Sequence, residues 1–269
     1  MTHMIYVVPS LKAKEKLQCE GKAWAESQGF TYVPRGKRTI QDLMDEYGED
    51  FLVYSSRGPQ IDRPEGSHFF SLNMAELRIQ NLRKGQRDHL LEALMGRGAS
   101  KLPITVLDCT CGFGADAAVA SFGLPAGSHV DALEVSPLLE AVTSWGFSHF
   151  VHKKDDVTAA LRRISLRRGD YRAYLLSDEG PVYDVLYFDP MFQRPVEASC
   201  QFQPVRAIME YGGLTRDLIE RALQKARRRV VIKERDFRQL CRDFPEVTLY
   251  GGKYSRIGYA VLECDSWKK

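Results

Sequence analysis

From residue 104 onward, short β-rich runs alternate with segments of helical spacing. The runs lie at 104–108, 129–134, 148–152, 182–188 and 229–234, and helical segments lie between most of them. Two further runs, at 247–250 and 257–263, are separated only by the turn-prone Gly251-Gly252 and its neighbours. Alternation of this kind is typical of a doubly wound α/β fold with a mostly parallel sheet. We therefore predict a seven-stranded, Rossmann-like sheet that ends in an antiparallel hairpin.

A smaller α/β pattern precedes this region. β-rich runs at 4–9, 30–33 and 51–55 alternate with helical segments at 11–27 and 39–47, and Thr39 is placed to cap the second helix. Two short segments contain glycine and proline and predict turns: Arg57-Gly58-Pro59 and Arg63-Pro64-Glu65-Gly66. Helices are expected at 73–83 and 86–95. We predict a small α/β unit over residues 1–64, a helical connector over 65–100 and the main domain over 101–269.

The composition excludes several classes of protein. Hydrophobic residues make up 44% of the 269 residues, so a core of ordinary size can form without metal or disulfide staples. No apolar run approaches the roughly 18 residues of a membrane span, and we expect no membrane partner. The six cysteines are scattered, which favours a reduced, cytoplasmic protein. Cys109 and Cys111 lack further ligands at zinc spacing, so we expect no metal site.

A glycine-containing loop follows the run at 104–108. It begins with Asp108 and continues through Thr110, Gly112, Gly114 and Asp116 into a predicted helix. Glycine lets a backbone approach a ligand closely, and the amides of a helix N-terminus favour a carboxylate. A lone G-x-G is weak evidence, because many turns that bind nothing contain one.

A second acid narrows the choice of ligand. Glu134 ends the next run, about 20 residues beyond the glycines, where an acid can accept both hydroxyls of a ribose. The spacing also suits a nicotinamide cofactor, but the third glycine of a pyrophosphate-binding turn is absent. S-adenosylmethionine (SAM) has no phosphate, so we predict SAM. Asp155 and Asp156, after the run at 148–152, are expected to bind its adenine or to begin a helix.

The fourth run ends in Asp189-Pro190-Met191-Phe192. An acidic or amide residue, a proline, one further residue and an aromatic form the motif of enzymes that methylate exocyclic amino groups. The Asp189 carboxylate and the Pro190 carbonyl can accept the two N–H groups of a base amine, which favours a nitrogen able to attack a methyl group. Proline fixes the loop, and Phe192 offers a face for a base to stack on. The alternative is a turn with Phe192 in the core.

These segments resemble the RsmJ-like family of small-subunit ribosomal RNA guanine-N2 methyltransferases. The resemblance spans residues 72–263 and rests on the following segments: Asn73 to Ile79 with Lys84-Gly85, Asp108 to Asp116, Leu133 to Pro137, Tyr187 to Phe192, Val230 to Lys233, and Lys253 to Arg256. It implies the class I methyltransferase fold, SAM as cofactor, and ribosomal RNA or the small ribosomal subunit as partner.

Further residues are candidates for substrate contact. Lys233 ends the fifth run at the same sheet edge as Asp189 and is expected to face substrate phosphate. Lys253 and Arg256 flank the terminal hairpin, and Arg206 stands where the resembled family carries an arginine. We expect Arg78 to form surface salt bridges. Two alternatives stay open: a class I methyltransferase with another RNA, protein or small-molecule substrate, and a module that binds SAM or RNA without catalysis.

Overall fold

The computed structural model describes residues 4–96, 102–190, 213–251 and 257–266. The described chain divides into two compact units. The first contains residues 4–71 together with 136–150, and the second contains residues 72–135, 151–190, 213–251 and 257–266. A helix from the middle of the chain thus belongs with the N-terminal residues, a grouping that sequence order does not suggest. None of the helices within the described ranges is long and apolar enough to span a membrane.

The first unit has a five-stranded sheet in the order β2-β1-β3-β4-β5. Its elements are β1 (Tyr6–Pro9), α1 (Glu15–Ser27), β2 (Thr31–Tyr32), α2 (Ile40–Tyr47), β3 (Phe51–Ser55), β4 (Gly58–Arg63) and β5 (Gly66–Phe69). β1 pairs in parallel with β2 and β3, and β3, β4 and β5 form an antiparallel meander. Thr39 caps α2 through a capping box with Asp42, as the sequence indicates.

The two predicted turns are present at residues 56–57 and 64–65, and the strands β4 and β5 begin or end within the same two segments. Pro59 is tolerated in β4 because it is paired with Tyr54 of β3 alone, and the ladder with β5 begins only at Gln60. All six residues of β4 are buried. The sheet therefore extends beyond residue 64, where the sequence pattern places the end of the unit.

The second unit contains a seven-stranded sheet in the order β11-β12-β10-β9-β6-β7-β8. The strands are β6 (Thr105–Asp108), β7 (His129–Glu134), β8 (Ile164–Arg168), β9 (Val185–Phe188), β10 (Arg229–Glu234), β11 (Thr248–Gly251) and β12 (Gly258–Glu263). β8, β7, β6, β9 and β10 are parallel, and β12 is antiparallel to both of its neighbours. The predicted doubly wound sheet with a terminal antiparallel hairpin is confirmed.

Eight α-helices and a 3-10 helix at Cys264–Ser266 complete the part of the chain after residue 71 that the structure describes. The α-helices are α3 (Asn73–Arg83), α4 (His89–Met95), α5 (Ala115–Gly123), α6 (Pro137–His149), α7 (Asp155–Leu161), α8 (Tyr171–Leu176), α9 (Arg216–Lys225) and α10 (Arg238–Asp243); α6 belongs to the first unit. The predicted third strand at 148–152 is wrong, because α6 continues through His149. Ser136 caps it, Pro137 opens it, and its interior is largely apolar. The third parallel strand is β8.

A hydrophobic core of the second unit lies on one face of its sheet. Phe188 of β9 and Ile232 of β10 pack there with Ile219 and Leu223 of α9. Side chains alternate between the two faces along a strand. The neighbouring Tyr187 and Lys233 therefore point to the other face, where α4 and α5 contact the strands. This alternation brings polar side chains from β9 and β10 toward the N-terminus of α5.

Candidate active site

The loop between β6 and α5 has the backbone that its glycines allow. Gly112 has a φ of 54° and Gly114 a φ of 76°, both in the left-handed region that other residues rarely adopt. Gly114 is the N-cap of α5, and no side chain caps this helix. The first amides of an α-helix have no partner within the helix. Those of α5 are therefore directed toward the carboxyl edge of the sheet, where ligands of such folds bind.

Asp108 ends β6 and is 2% exposed. Its Oδ1 accepts a hydrogen bond of 3.1 Å from the amide of Thr110. Burial raises the pKa of Asp108 well above its usual range; the Thr110 amide opposes this shift, and the nearby carboxylates of Asp116 and Asp189 add to it. The first acid of the loop is thus held inside the site by its own backbone.

Glu134 ends β7 next to the glycine loop, as its position in the sequence predicts. It is 8% exposed, and its Oε2 accepts a hydrogen bond of 2.9 Å from the amide of Gly112. The amide of Cys111 also donates to the carbonyl of Leu133 at 2.9 Å. These two contacts join the end of β7 to the loop, so a ligand held by Glu134 also meets the glycine backbone.

Asp116, in the first turn of α5, is the centre of a buried ion network. Its Oδ1 accepts from Arg78 at 2.5 Å, and its Oδ2 accepts from the Tyr187 hydroxyl at 2.8 Å and from Lys233 at 2.7 Å. Burial alone would raise the pKa of Asp116, but Lys233 and Arg78 outweigh it and hold the pKa well below its usual range. The side chain of Asp116 therefore stays ionised and is occupied by three donors.

Arg78 is not the surface residue that the sequence suggests. Its Nε and Nη2 donate to the two carboxylate oxygens of Asp88 at 2.8 Å each, while its Nη1 donates to Asp116. Asp88 is itself the N-cap of α4 and accepts from the amides of Leu90 and Leu91. Arg78 therefore connects α3 to the starts of both α4 and α5. Its contact with Asp88 is a bidentate guanidinium–carboxylate pair, which is strong and geometrically specific.

Lys233 connects this network to Asp189, the first residue after β9. Its ammonium lies 2.8 Å from Asp189 Oδ2 in addition to its bond with Asp116. The lysine side chain is 15% exposed and that of Asp189 is 30% exposed. The amide of Asp189 also donates to Thr110 Oγ1 at 2.7 Å. The loop after β6 and the loop after β9, far apart in sequence, are thus bonded to each other.

The glycine loop, the N-terminus of α5 and several buried carboxylates thus meet at the carboxyl edge of the sheet. This is the edge at which small molecules bind in folds of this kind. A family profile described as "Putative SAM-dependent methyltransferase" matches residues 67–257, well over half of the chain. The chain belongs to this family of SAM-dependent methyltransferases. SAM is therefore the cofactor, as the glycine loop and Glu134 predict.

Relatives of this methyltransferase include proteins with and without an established role. The uncharacterized protein YpiP of Bacillus subtilis is 29% identical over 229 residues, which cover 85% of this chain and 88% of that protein. Ribosomal RNA small subunit methyltransferase J of Dechloromonas aromatica is 28% identical over 195 residues, 71% of this chain and 76% of that protein. The enzyme of the same name from Pseudomonas fluorescens is 28% identical over 215 residues, covering 77% and 80%.

A solved structure also resembles this methyltransferase. The crystal structure of a SAM-dependent methyltransferase from Neisseria gonorrhoeae superposes with a TM-score of 0.61 and covers 96% of this chain and 95% of that chain. The two sequences are 18% identical. This likeness concerns the fold.

The strand on which the prediction for Asp155 and Asp156 rested is absent in the methyltransferase. The alternative prediction, that they begin a helix, is confirmed: both residues lie in the first turn of α7 and are exposed, and Asp156 pairs with Arg83. That pairing, through hydrogen bonds from Arg83, lowers the pKa of Asp156. The third parallel strand, β8, instead ends at Arg168.

Gly169 and Asp170 follow β8 and were missed by the sequence analysis. The amide of Gly169 donates to the carbonyl of Glu134 at 3.0 Å, which places this turn beside the end of β7. Asp170 caps α8 by accepting from the amide of Arg172 at 2.8 Å. Asp170 is thus the carboxylate that follows the strand paired with β7.

Several predicted residues lie outside the described part of the chain. They are Met191 and Phe192 of the catalytic motif, Arg206, Lys253 and Arg256. Pro190 is described and is partly buried beside Asp189. Of the sequence-predicted site, the structure thus brings together Asp108, Thr110, Gly112, Gly114, Asp116, Glu134, Asp189, Pro190 and Lys233.

Proposed function

We propose that this enzyme transfers the methyl group of SAM to the exocyclic N2 amine of a guanine in ribosomal RNA. The observation that carries the proposal is the bond between the two loops: Thr110 Oγ1 accepts the Asp189 amide at 2.7 Å. It sets the amine-binding motif directly beside the cofactor loop. The ribosomal RNA substrate is supported by the names of the relatives from Dechloromonas aromatica and Pseudomonas fluorescens, and guanine N2 by the sequence resemblance.

The residues of the loop fit the groups of SAM. Glu134 would accept the ribose hydroxyls, and Asp170 would accept the adenine amino group. The first-turn amides of α5 would meet the methionine carboxylate, since Gly114 leaves the helix end without a side-chain cap. Asp108, Asp116, Glu134 and Asp189 bring four carboxylates to this edge against the cations of Lys233 and Arg78.

SAM supplies an electrophilic methyl group on this sulfonium. Asp189 would accept one N–H of the guanine amine at its carboxylate, and the Pro190 carbonyl would accept the other. With both N–H groups held, the nitrogen lone pair is withdrawn from the ring and directed at the methyl carbon. In the transfer a carbon–nitrogen bond would form as the carbon–sulfur bond of SAM breaks, leaving the neutral thioether S-adenosylhomocysteine, and the amine would pass one proton to water. Catalysis here is orientation together with charge placed before the reaction.

A cavity beside Pro190 offers a place for the base. It lies between α9, β10 and α10, and its lining includes Ile232, Glu234 and Asp236. The Watson–Crick edge of guanine presents N–H donors at N1 and N2. The carboxylate of Glu234 suits this edge better than the acceptor-rich edge of cytosine, whereas both oxygens of Asp236 accept from Arg238. This chemistry supports guanine as the target base.

The test is methyl transfer to ribosomal particles that lack the modification. Purified enzyme and tritiated SAM are incubated with small subunits, or with their naked RNA, from cells without the gene, and nucleosides are analysed by mass spectrometry. We expect N2-methylguanosine in one digestion fragment. Asp189→Ala should abolish transfer while SAM binding, measured by calorimetry, survives. Label in another nucleoside, in protein, or in no fraction at all would contradict the proposal.

A further inference from the structure

Three parallel strands of the first unit end at an edge that is rich in cations. Because β1 pairs in parallel with β2 and with β3, the segments that follow these strands lie at the same edge. They are residues 10–16, 33–38 and 56–57. Between them they contain seven cations and one carboxylate, Glu15; the cations are Lys12, Lys14, Lys16, Arg35, Lys37, Arg38 and Arg57. We call these segments the cationic edge.

The opposite edge of the same sheet has the opposite charge. The segment that enters β3 carries Glu49 and Asp50, and the turn from β4 to β5 carries Glu65. The antiparallel pairing of β4 with β3 places that turn at this second edge. Residues 48–50 and 64–65 contain no lysine or arginine, and the cation at this edge is Arg63 at the end of β4, which is buried and donates to the carbonyl of Glu49. The unit is therefore polarised along its strands, although the net charge of the whole chain is only +3.

Several of the seven cations are uncommitted. Lys16 lies 3.9 Å from Glu20, and Arg38 pairs with Glu46. Lys12, Lys14 and Lys37 are exposed, and none of the three forms an ion pair with a residue in the described ranges. Their charges are available to a partner.

The loop that carries Lys37 is held in shape by two arginines. Nε of Arg35 donates to the carbonyl of Arg38 and Nε of Arg38 donates to the carbonyl of Arg35, both at 3.0 Å. Arg35 is 6% exposed. At the end of β3, the guanidinium of Arg57 lies 3.7 Å from the ring centroid of Phe69. Fixed cations lose less conformational entropy on binding than mobile ones.

We propose that the cationic edge binds the sugar–phosphate backbone of the RNA substrate. Repeating phosphates are the partner that several separate lysines on one sheet edge suit, and such contacts position an RNA without reading its sequence. The edge would thus add affinity and leave the choice of nucleotide to the catalytic motif. This inference rests on the proposed RNA substrate, but it concerns binding and can be tested without methyl transfer.

The experiment compares two triple variants of the full-length protein that lose the same charge. One replaces Lys12, Lys14 and Lys37 by glutamine. The control replaces Lys22, Lys153 and Arg221, which are also exposed, by glutamine. Binding of naked small-subunit RNA is measured by filter binding across a range of salt concentrations, and SAM binding is measured by calorimetry.

We expect the first triple to weaken RNA binding at least about tenfold and to reduce the slope of log K against log salt by about 2, since each lost phosphate contact contributes roughly 0.7. The control triple should bind RNA like the wild type, and both should bind SAM normally. Equal behaviour of the two triples would overturn the inference. So would a wild type that binds vesicles of anionic lipid and not RNA. A wild type that binds RNA through this edge but methylates none would contradict only the proposed function.

Discussion

The ammonium of Lys233 donates a 2.8 Å hydrogen bond to Oδ2 of Asp189, one residue beyond the last paired positions of β9 and β10. The same ammonium is bonded to Asp116 at 2.7 Å. Burial lowers the pKa of Lys233, but the two carboxylates outweigh this and raise it above its usual value. Lys233 therefore carries its positive charge at neutral pH. The sequence predicts that Lys233 contacts substrate phosphate. Its position instead favours a role in setting the charge and orientation of Asp189.

Lys233→Met should move the acid limb of the kcat–pH profile to higher pH. Burial raises the pKa of Asp189, Lys233 opposes that shift, and Asp116 and Glu234 act in the direction of burial. Without Lys233 the pKa of Asp189 rises further, so the carboxylate becomes protonated, and inactive as an acceptor, at a higher pH. Measurement of kcat from pH 5 to pH 9 at saturating SAM and RNA gives the shift.

Lys233→Arg should keep the limb near its original position, because the positive charge is retained. Lys225 provides a matched control, since its ammonium donates to the carbonyl of Tyr174 and is paired with no carboxylate in the described ranges. Lys225→Met should lower stability and leave the limb unmoved. A limb that stays in place in Lys233→Met would remove this role from Lys233. A raised KM for RNA with unchanged kcat would instead support the contact with substrate phosphate that the sequence predicts for Lys233.

Thr110→Val should slow methyl transfer more than it weakens SAM binding. Valine keeps the shape of threonine but cannot accept the amide of Asp189, which is bonded to Thr110 Oγ1. A partly buried donor without its acceptor costs about 1–3 kcal/mol, and the loop that presents Asp189 is less firmly held. We expect kcat to fall about tenfold, measured by single-turnover kinetics. Thr110→Ser, which keeps the hydroxyl, should retain most of the rate.

Glu134→Ala should weaken SAM binding by about 10- to 100-fold, the loss of a charge-assisted hydrogen bond. The variant removes the acceptor proposed for the ribose and also the bond to the amide of Gly112. Asp170→Ala should weaken binding as well. Asp155→Asn is the matched control, because Asp155 is exposed in the first turn of α7. Calorimetry that finds Asp155→Asn as damaging as Asp170→Ala would return the adenine site to the residues that the sequence suggested.

The sequence located the acids that follow strongly apolar strands, but it did not locate Asp170, which follows β8. Asp108, Glu134 and Asp189 each directly follow or end a buried, apolar strand, so periodicity alone placed them at one sheet edge. β8 is different: of its five residues only Ile164 is buried, because it lies at the edge of the sheet. A polar edge strand has little of the pattern that identifies buried strands. The apolar segment at the end of α6, residues 148–152, predicts the third strand instead.

The contacts within the site were beyond the reach of the sequence. Arg78 and Asp116 are 38 residues apart, and Lys233 and Asp116 are 117 residues apart. Their types and approximate elements were correctly predicted, but an ion pair depends on side-chain direction in the folded state. For Lys233 the alternation along β10 was sufficient to give the face. The alternation could not show that the Lys233 ammonium is bonded to two carboxylates, those of Asp116 and Asp189.

Gly146→Ala should destabilise the first unit. A Cβ at this position of α6 would lie 1.9 Å from the Phe70 ring, and both residues belong to this unit. Alanine normally favours helix, but the overlap requires Phe70 to move, which costs about 1–3 kcal/mol in a packed core. Ser148→Ala, at an exposed position of the same helix, is the control and should leave stability within about 0.5 kcal/mol. Denaturant unfolding measures both.

His68 of β5 should make the stability of the protein depend on pH. Burial lowers the pKa of His68 to about 4, whereas in the unfolded chain it is about 6.5. Between these values the unfolded state binds more protons than the folded state, so stability falls as the pH falls from about 6.5 to about 4. Above pH 6.5 the contribution is complete. The loss is at most about 3 kcal/mol by this linkage.

His68→Gln cannot titrate, so its free energy of unfolding should vary less over this window. Urea unfolding at pH 7, 6, 5 and 4.5 compares the two proteins. If the free energies of unfolding of the two proteins change with pH in parallel, His68 is protonated to the same extent in the folded and unfolded states. Its burial would then make no contribution to the pH dependence of stability.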